Sequence, residues 1–175
     1  MSKTPPTRSD EAPATATAPV HDPIALTHYI ETRYHARHRA QLLHLAEVAE
    51  KVEAVHATSP HVPRGLSELL RRMIGEMEVH MKKEELLLFP AMRKGGAPGL
   101  KERIAAIRAE HDDQDAELAE IRRITGGPTL PENACRTWTA LHEGIVVFIT
   151  DLEEHTRLEN DVLFPQFEKP EKGDG

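Results

Sequence analysis

His80-Met81-Lys82-Lys83-Glu84, closed by Phe89-Pro90, returns later in the chain as His155-Thr156-Arg157-Leu158-Glu159, closed by Phe164-Pro165. A histidine and a glutamate four residues apart lie one turn apart on one face of a helix, so imidazole and carboxylate reach a common point. A lone histidine precedes each copy at nearly the same distance, His35 by 45 residues and His111 by 44. The chain therefore reads twice as a lone histidine, a His-x-x-x-Glu and a Phe-Pro, and each half is long enough for a helical hairpin. Two hairpins make four helices, and each helix brings at least one potential ligand to the same level: His35, His80 with Glu84, His111, and His155 with Glu159.

The composition sets the bounds. The 175 residues suit one domain with a real core, 39% hydrophobic and 29% charged, with 4% aromatic residues and an abundance of helix formers. A net charge of -7 argues against nucleic acid as the main partner, because phosphate binding needs a basic surface. The single cysteine, Cys135, rules out an internal disulfide and a thiolate-rich metal site, which accords with a reducing cytoplasm. No run is long and apolar enough to span a membrane, and the N-terminus lacks the basic-then-apolar order of a secretory signal. Residues 1–20, rich in Thr, Pro, Ala and Ser, are expected to be a disordered tail, as are residues 169–175; a folded unit is expected over 21–168.

Breakers delimit the helices. Asp22-Pro23 should open the first, with Asp22 as N-cap, and Ser59-Pro60-His61-Val62-Pro63 should end it after about Ala57. Within it His28, His35, Leu42, Ala49 and His56 repeat every seven residues, beside Glu31, His38, Leu45 and Val52. The second is expected over about 64–93, the third over about 100–125 and the fourth from Pro131-Glu132 to about Gln166, with a bend near Pro165. Helical spacing puts His80 and Glu84, like His155 and Glu159, on faces that carry Leu and Met and must be core. The fold class is all-α, an antiparallel up-down-up-down four-helix bundle built from a duplicated hairpin.

Four histidines and two glutamates in an apolar interior are costly unless something satisfies them together. Imidazole with carboxylate and no thiolate suits iron, manganese or zinc. Six ligands exceed the four of a structural zinc site, so two ions bridged by the two glutamates fit better. The ferritin-like order Glu-x-x-His is reversed here and one residue longer, which disfavours that family.

The sequence resembles hemerythrin-like di-iron proteins, specifically the branch that repairs iron centres. The resemblance rests on Arg33-Tyr34-His35-Ala36-Arg37-His38-Arg39, Lys51 to His56, His80 to Glu85 with Leu88-Phe89-Pro90, Glu110-His111-Asp112, Ala134 to Trp138, and His155 to Pro165, and it spans about 24–167. It implies ligation by His35, His80, His111 and His155 with Glu84 and Glu159 bridging, around two non-haem, oxo-bridged iron ions. It also implies a stress-response function: support for iron–sulfur clusters damaged by nitric oxide or peroxide, through iron donation or nitric oxide binding and reduction. Damaged iron–sulfur proteins and a separate electron donor would be the partners, nitric oxide or dioxygen the small ligand. Fuller members carry an N-terminal domain with adjacent cysteines, where this sequence has only the short tail.

Two other functions compete: a hemerythrin-type binder or sensor of dioxygen or nitric oxide, and iron storage or donation without redox turnover. The resemblance implies a fifth histidine on one iron for an oxygen carrier, and only His38 stands near. His38 shares the inward stripe with His35, but the matched spacing selects His35 as the ligand. His28 and His56 are expected at a helix end or pocket rim, and His21, His44, His61 and His142 at the surface. Tyr34 and Asp112 are candidates to hydrogen-bond ligands. Glu85 and Glu110 are expected on a solvated face, Asp115 solvated or beside the site, and Cys135 as a small core residue.

Overall fold

Asp22 accepts the Ala25 N–H on Oδ1 at 3.0 Å and Pro23 fills the first turn, the arrangement their side chains favour at a helix start. The computed structural model describes residues 17–169; the expected disorder of 1–16 and 170–175 lies outside the described residues. Four long helices follow one another: α1 (23–55), α2 (66–93), α3 (Leu100–Thr125) and α4 (136–168). No strand occurs among the described residues. The left-handed backbone of Gly99 and Gly126, φ 76° and 75°, brackets α3, a conformation that costs glycine no Cβ clash.

The fourth helix starts later than Pro131-Glu132. Pro131 instead accepts the Ala134 N–H across a turn, at 3.0 Å. Cys135 stays extended as N-cap, its sulfur 3.5 Å from the Trp138 nitrogen. Ala18 and Val20, assigned by composition to the tail, pack against the apolar cluster around Leu26.

Neighbouring helices pack α1 on α2, α2 on α3, α3 on α4 and α4 on α1, which closes an antiparallel four-helix bundle. Its core has two apolar parts. One holds Leu42, Leu45, Met73, Met77, Leu118, Trp138 and Phe148. The other holds Leu26, Ile30, Leu88, Phe89, Ile104, Ile107, Leu163 and Phe164. Along every helix the residues between these clusters are polar and buried: His35 and His38, His80 and Glu84, His111, His155 and Glu159. None of the described helices is long and apolar enough to cross a membrane.

Three helices are not regular. Each contains one wide turn, at Glu31–His35, Glu84–Leu88 and Leu158–Leu163. There the N–H groups of Ala36, Phe89 and Phe164 bond five residues back, to the carbonyls of Glu31, Glu84 and Glu159. An inserted residue rotates the chain by roughly 100°. The seven-residue stripe read from the sequence therefore breaks above His35. Leu26, Thr27 and Ile30 turn inward, and His28 is exposed. In α2 the same shift turns Leu88 inward and leaves Leu87 exposed.

Helices α1 and α4 come close where Gly144 faces Leu45; a Cβ at 144 would lie 2.8 Å from Leu45 Cδ2. Leu45 is buried and has little room to yield. Gly144→Val is expected to lower stability by about 1–3 kcal/mol through overpacking, measurable as a reduced urea midpoint with an unchanged denaturant slope.

Candidate metal centre

The wide turns set the geometry of the polar layer. The acceptors of the two long bonds in α2 and α4 are the carbonyls of Glu84 and Glu159, and both bonds end at the phenylalanine of a Phe-Pro pair. Pro90 and Pro165 have no N–H and would crowd a carbonyl four residues back. A widened turn ahead of each proline accommodates both defects. The same turn carries the glutamate side chain onto the bundle axis, one turn beyond its histidine.

All six residues singled out by the repeat meet there, each no more than 3% exposed. His35 Nε2 lies 3.1 Å from Glu84 Oε2, and His80 Nε2 lies 3.3 Å from Glu84 Oε1. His155 Nε2 lies 2.9 Å from Glu159 Oε1, and His111 Nε2 lies 3.1 Å from Glu159 Oε2 and 3.9 Å from Glu84 Oε1. The atoms fall into two groups, His35 and His155 with both glutamates, and His80 and His111 with both glutamates, each with ligand atoms within 4.8 Å of one another. One oxygen of each carboxylate faces each group. The pattern is that of two carboxylates shared by a pair of cations.

The residues fit such a pair on their own chemistry. His35 Nε2, His80 Nε2, His111 Nε2, both oxygens of Glu84 and Glu159 Oε2 are buried without a hydrogen-bond partner. Native interiors rarely leave such atoms unsatisfied, and a buried unpaired charge is costly. All six point at the same place, and cations there would satisfy them together. This is a buried His/Glu cation-binding site, with donors that suit a transition metal.

A second circle of side chains holds the imidazoles by their other nitrogens. Nδ1 of His35 meets Glu85 Oε1 at 2.9 Å, and Nδ1 of His80 meets Glu110 Oε2 at 2.7 Å. Nδ1 of His111 meets Asn160 Oδ1 at 2.8 Å, and Nδ1 of His155 meets His38 Nε2 at 3.1 Å. Metal-binding histidines use such contacts to fix ring orientation and proton position. The acids are themselves held: Arg39 and Lys82 bind Glu85, and Lys83 binds Glu110. Glu85 and Glu110, expected on a solvated face, thus have a defined task. Their spacing from the ligands, one residue after Glu84 and one before His111, was the available signal.

The other expectations divide. Asp112 and Asp115 are exposed, and Tyr34 makes no hydrogen bond to a ligand but stacks on His155 with ring centroids 5.5 Å apart. His56 caps the end of α1 and places Nε2 3.1 Å from Cys135 Sγ. His21, His44 and His61 are exposed. His142 is half-buried, its Nε2 3.4 Å from the Gly127 carbonyl oxygen. Asn160 was not anticipated. The phenylalanines of both Phe-Pro pairs stack on the lone histidine of their own half, Phe89 on His35 at 5.8 Å and Phe164 on His111 at 6.0 Å. That contact explains why the repeat carries the histidine and the phenylalanine together.

Residues 27–167 match the family model described as the hemerythrin HHE cation binding domain. Among curated proteins the chain is similar to two iron–sulfur cluster repair proteins named YtfE. One is from Yersinia pseudotuberculosis serotype IB (strain PB1/+) and one from Yersinia pestis (strain Pestoides F). Each is 46% identical over 141 residues, which cover 81% of this chain and 64% of the relative. The matched part is thus less than two thirds of those proteins.

Charge in the layer is tightly balanced. Burial pushes the His80 imidazole toward its neutral form, but the nearby charge of Glu84, with Glu159 and Glu110, outweighs it and raises the pKa to about 9. His35 and His111 are raised by the same competition. Glu84 and Glu159 are held below the ordinary carboxylate range by the surrounding histidines, against both burial and each other. Without cations, protons on the histidines are what neutralise the layer. A histidine whose pKa is raised by folding contributes stability that is full below its ordinary value and lost as pH climbs through the raised one. Chelator-stripped protein should therefore lose thermal stability as pH rises from about 6.5 to about 9. Cation-loaded protein, which needs neutral imidazoles, should not. Unfolding temperatures of both forms across this range provide the check.

Proposed function

The chain belongs to the hemerythrin HHE cation-binding family, and from that premise we propose a di-iron protein that supports repair of iron–sulfur clusters damaged by nitric oxide or peroxide. His35, His80, His111 and His155 would hold two non-haem iron ions, with Glu84 and Glu159 shared between them. The observation that carries this reading is the set of six buried, partnerless nitrogen and oxygen atoms converging on one layer. The stretch matching the family model contains every one of the six residues. The name borne by the 46%-identical relatives supports the choice of function, and the chain spans 64% of their length.

Iron bound there would supply Lewis acidity and one-electron redox chemistry toward a diatomic ligand. The chain's own residues set the conditions. Glu84 and Glu159 keep the two positions adjacent, which suits two small ligands meeting side by side. Glu85, Glu110, Asn160 and His38 hold the imidazoles in place. Phe89, Phe164, Leu88 and Leu163, all buried, keep bulk water from the layer. A cytoplasmic location, a separate electron donor and damaged iron–sulfur proteins as partners complete the proposal. An oxygen-carrier reading gains no support from His38, since both of its ring nitrogens are already engaged, by Gln41 and His155.

Protein produced with added iron is expected to contain two irons per chain and to absorb in the near ultraviolet through ligand-to-metal charge transfer. His155→Ala and Glu159→Ala should each lose iron and that band while staying helical. Colourless protein that holds only zinc would overturn the proposal. Reactivation of a damaged cluster enzyme by iron-loaded protein would point to donation. Consumption of nitric oxide with a supplied electron donor would point to reduction.

A further inference from the structure

Three of the four layer histidines have an oxygen behind Nδ1, and His155 has a second imidazole. His38 is fully buried and sits in a string of contacts that leaves one assignment of protons. Asp151 Oδ2 lies 2.8 Å from Gln41 Nε2 and 2.6 Å from Arg37 Nε. A carboxylate held by a guanidinium accepts, so the Gln41 amide nitrogen donates to it. The Gln41 amide oxygen must then face His38, where Oε1 lies 3.2 Å from Nδ1. An amide oxygen only accepts, so His38 carries its proton on Nδ1. His38 Nε2 is left as a lone pair, 3.1 Å from His155 Nδ1. His155 must then carry a proton on Nδ1, so Nε2 is the nitrogen that faces the layer, 2.9 Å from Glu159 Oε1; it donates to that carboxylate in the cation-free layer and offers a lone pair once a cation takes the proton's place.

We propose that His38 is a positioning residue: with Gln41 and Asp151 it transmits a fixed hydrogen-bond polarity from the bundle surface to His155, so that His155 presents Nε2 as a metal donor. This rests on the metal reading given above and adds the device that selects one tautomer. The string starts at Asp151, largely shielded and also approached by Arg33 at 3.8 Å. The two rings lie within 21° of coplanar with centroids 5.2 Å apart, as an edge-to-edge hydrogen bond requires, and Tyr34 lies near both, 5.5 Å from His155 and 6.0 Å from His38. His38 itself touches neither Glu84 nor Glu159 through a hydrogen bond, so it acts through His155. Its loss should be felt at the position shared by His35 and His155, and not at the one shared by His80 and His111.

Zinc provides a diamagnetic probe of the loaded site. In 15N-labelled, zinc-loaded protein the His155 Nδ1 proton should be exchange-protected and show a 15N–15N coupling across its hydrogen bond to His38 Nε2. His38→Phe keeps the buried volume but removes the acceptor. It should bind one of its two zinc ions about 10- to 100-fold more weakly, the range seen when outer partners of metal ligands are lost. His38→Gln, whose amide oxygen reaches the place of Nε2, should recover most of that affinity. Far-ultraviolet circular dichroism reports whether each variant stays helical. Wild-type affinity at both positions in His38→Phe, His38→Gln no better than His38→Phe, or an absent coupling in the wild-type protein would overturn the inference. If His38→Phe fails to fold, the wild-type coupling decides. Wild-type protein that binds no zinc pair would sink the metal reading instead, and the same coupling measured without metal would then decide the role of His38.

Discussion

Glu84 and Glu159 are fully buried, and each raises the energetic cost of the other's charge. Burial and mutual repulsion both push a carboxylate toward protonation. Four imidazoles around the pair reverse that push and hold both carboxylates ionised. Everything else in the bundle accommodates this arrangement. The apolar core is split in two to make room for a polar layer, and the layer is closed by aromatic rings on His35 and His111. Left to themselves, these charges would be a defect; shared by two cations they become a reason for the fold to be specific.

The duplication is visible in three dimensions, though imperfectly. Each half contributes a lone histidine, a His-x-x-x-Glu, a wide helical turn ahead of Phe-Pro, and a phenylalanine stacked on the lone histidine. The halves differ in what stands behind the imidazoles. In the first half Glu85 and Glu110 back His35 and His80. In the second, Asn160 and His38 back His111 and His155, and neither is a carboxylate. Since each cation position draws one histidine from each half, each has one imidazole backed by a charge and one backed by a neutral group. A carboxylate behind an imidazole strengthens it as a donor more than an amide or a second imidazole does. The two positions are therefore similar in total but not identical.

The all-helical bundle and the six layer residues were legible because they rest on spacing, and spacing survives folding. A histidine and a glutamate four apart must share a helix face, and a triplet found twice with matched intervals has to come together if the helices pack as two hairpins. The start of α4 was not legible. Pro131 and Glu132 carry good helix-opening chemistry, but the turn through Ala134 and the capping sulfur of Cys135 win. The fate of His28 was also hidden, because a seven-residue count assumes a regular helix and α1 contains a wide turn with no proline to announce it.

By itself, then, the sequence determined the helices, their number, the level at which the six layer residues lie and the pairing of His80 with Glu84 and of His155 with Glu159, which follow from spacing along one chain. Only the tertiary structure decided which imidazole faces which carboxylate oxygen, and what stands behind each ring. Apart from the two pairs four residues apart, His80 with Glu84 and His155 with Glu159, those contacts join residues about 30 to 117 positions apart, where no periodicity constrains them. They depend on the rotation of each helix about its axis, and a single inserted residue in a wide turn changes that rotation by roughly 100°.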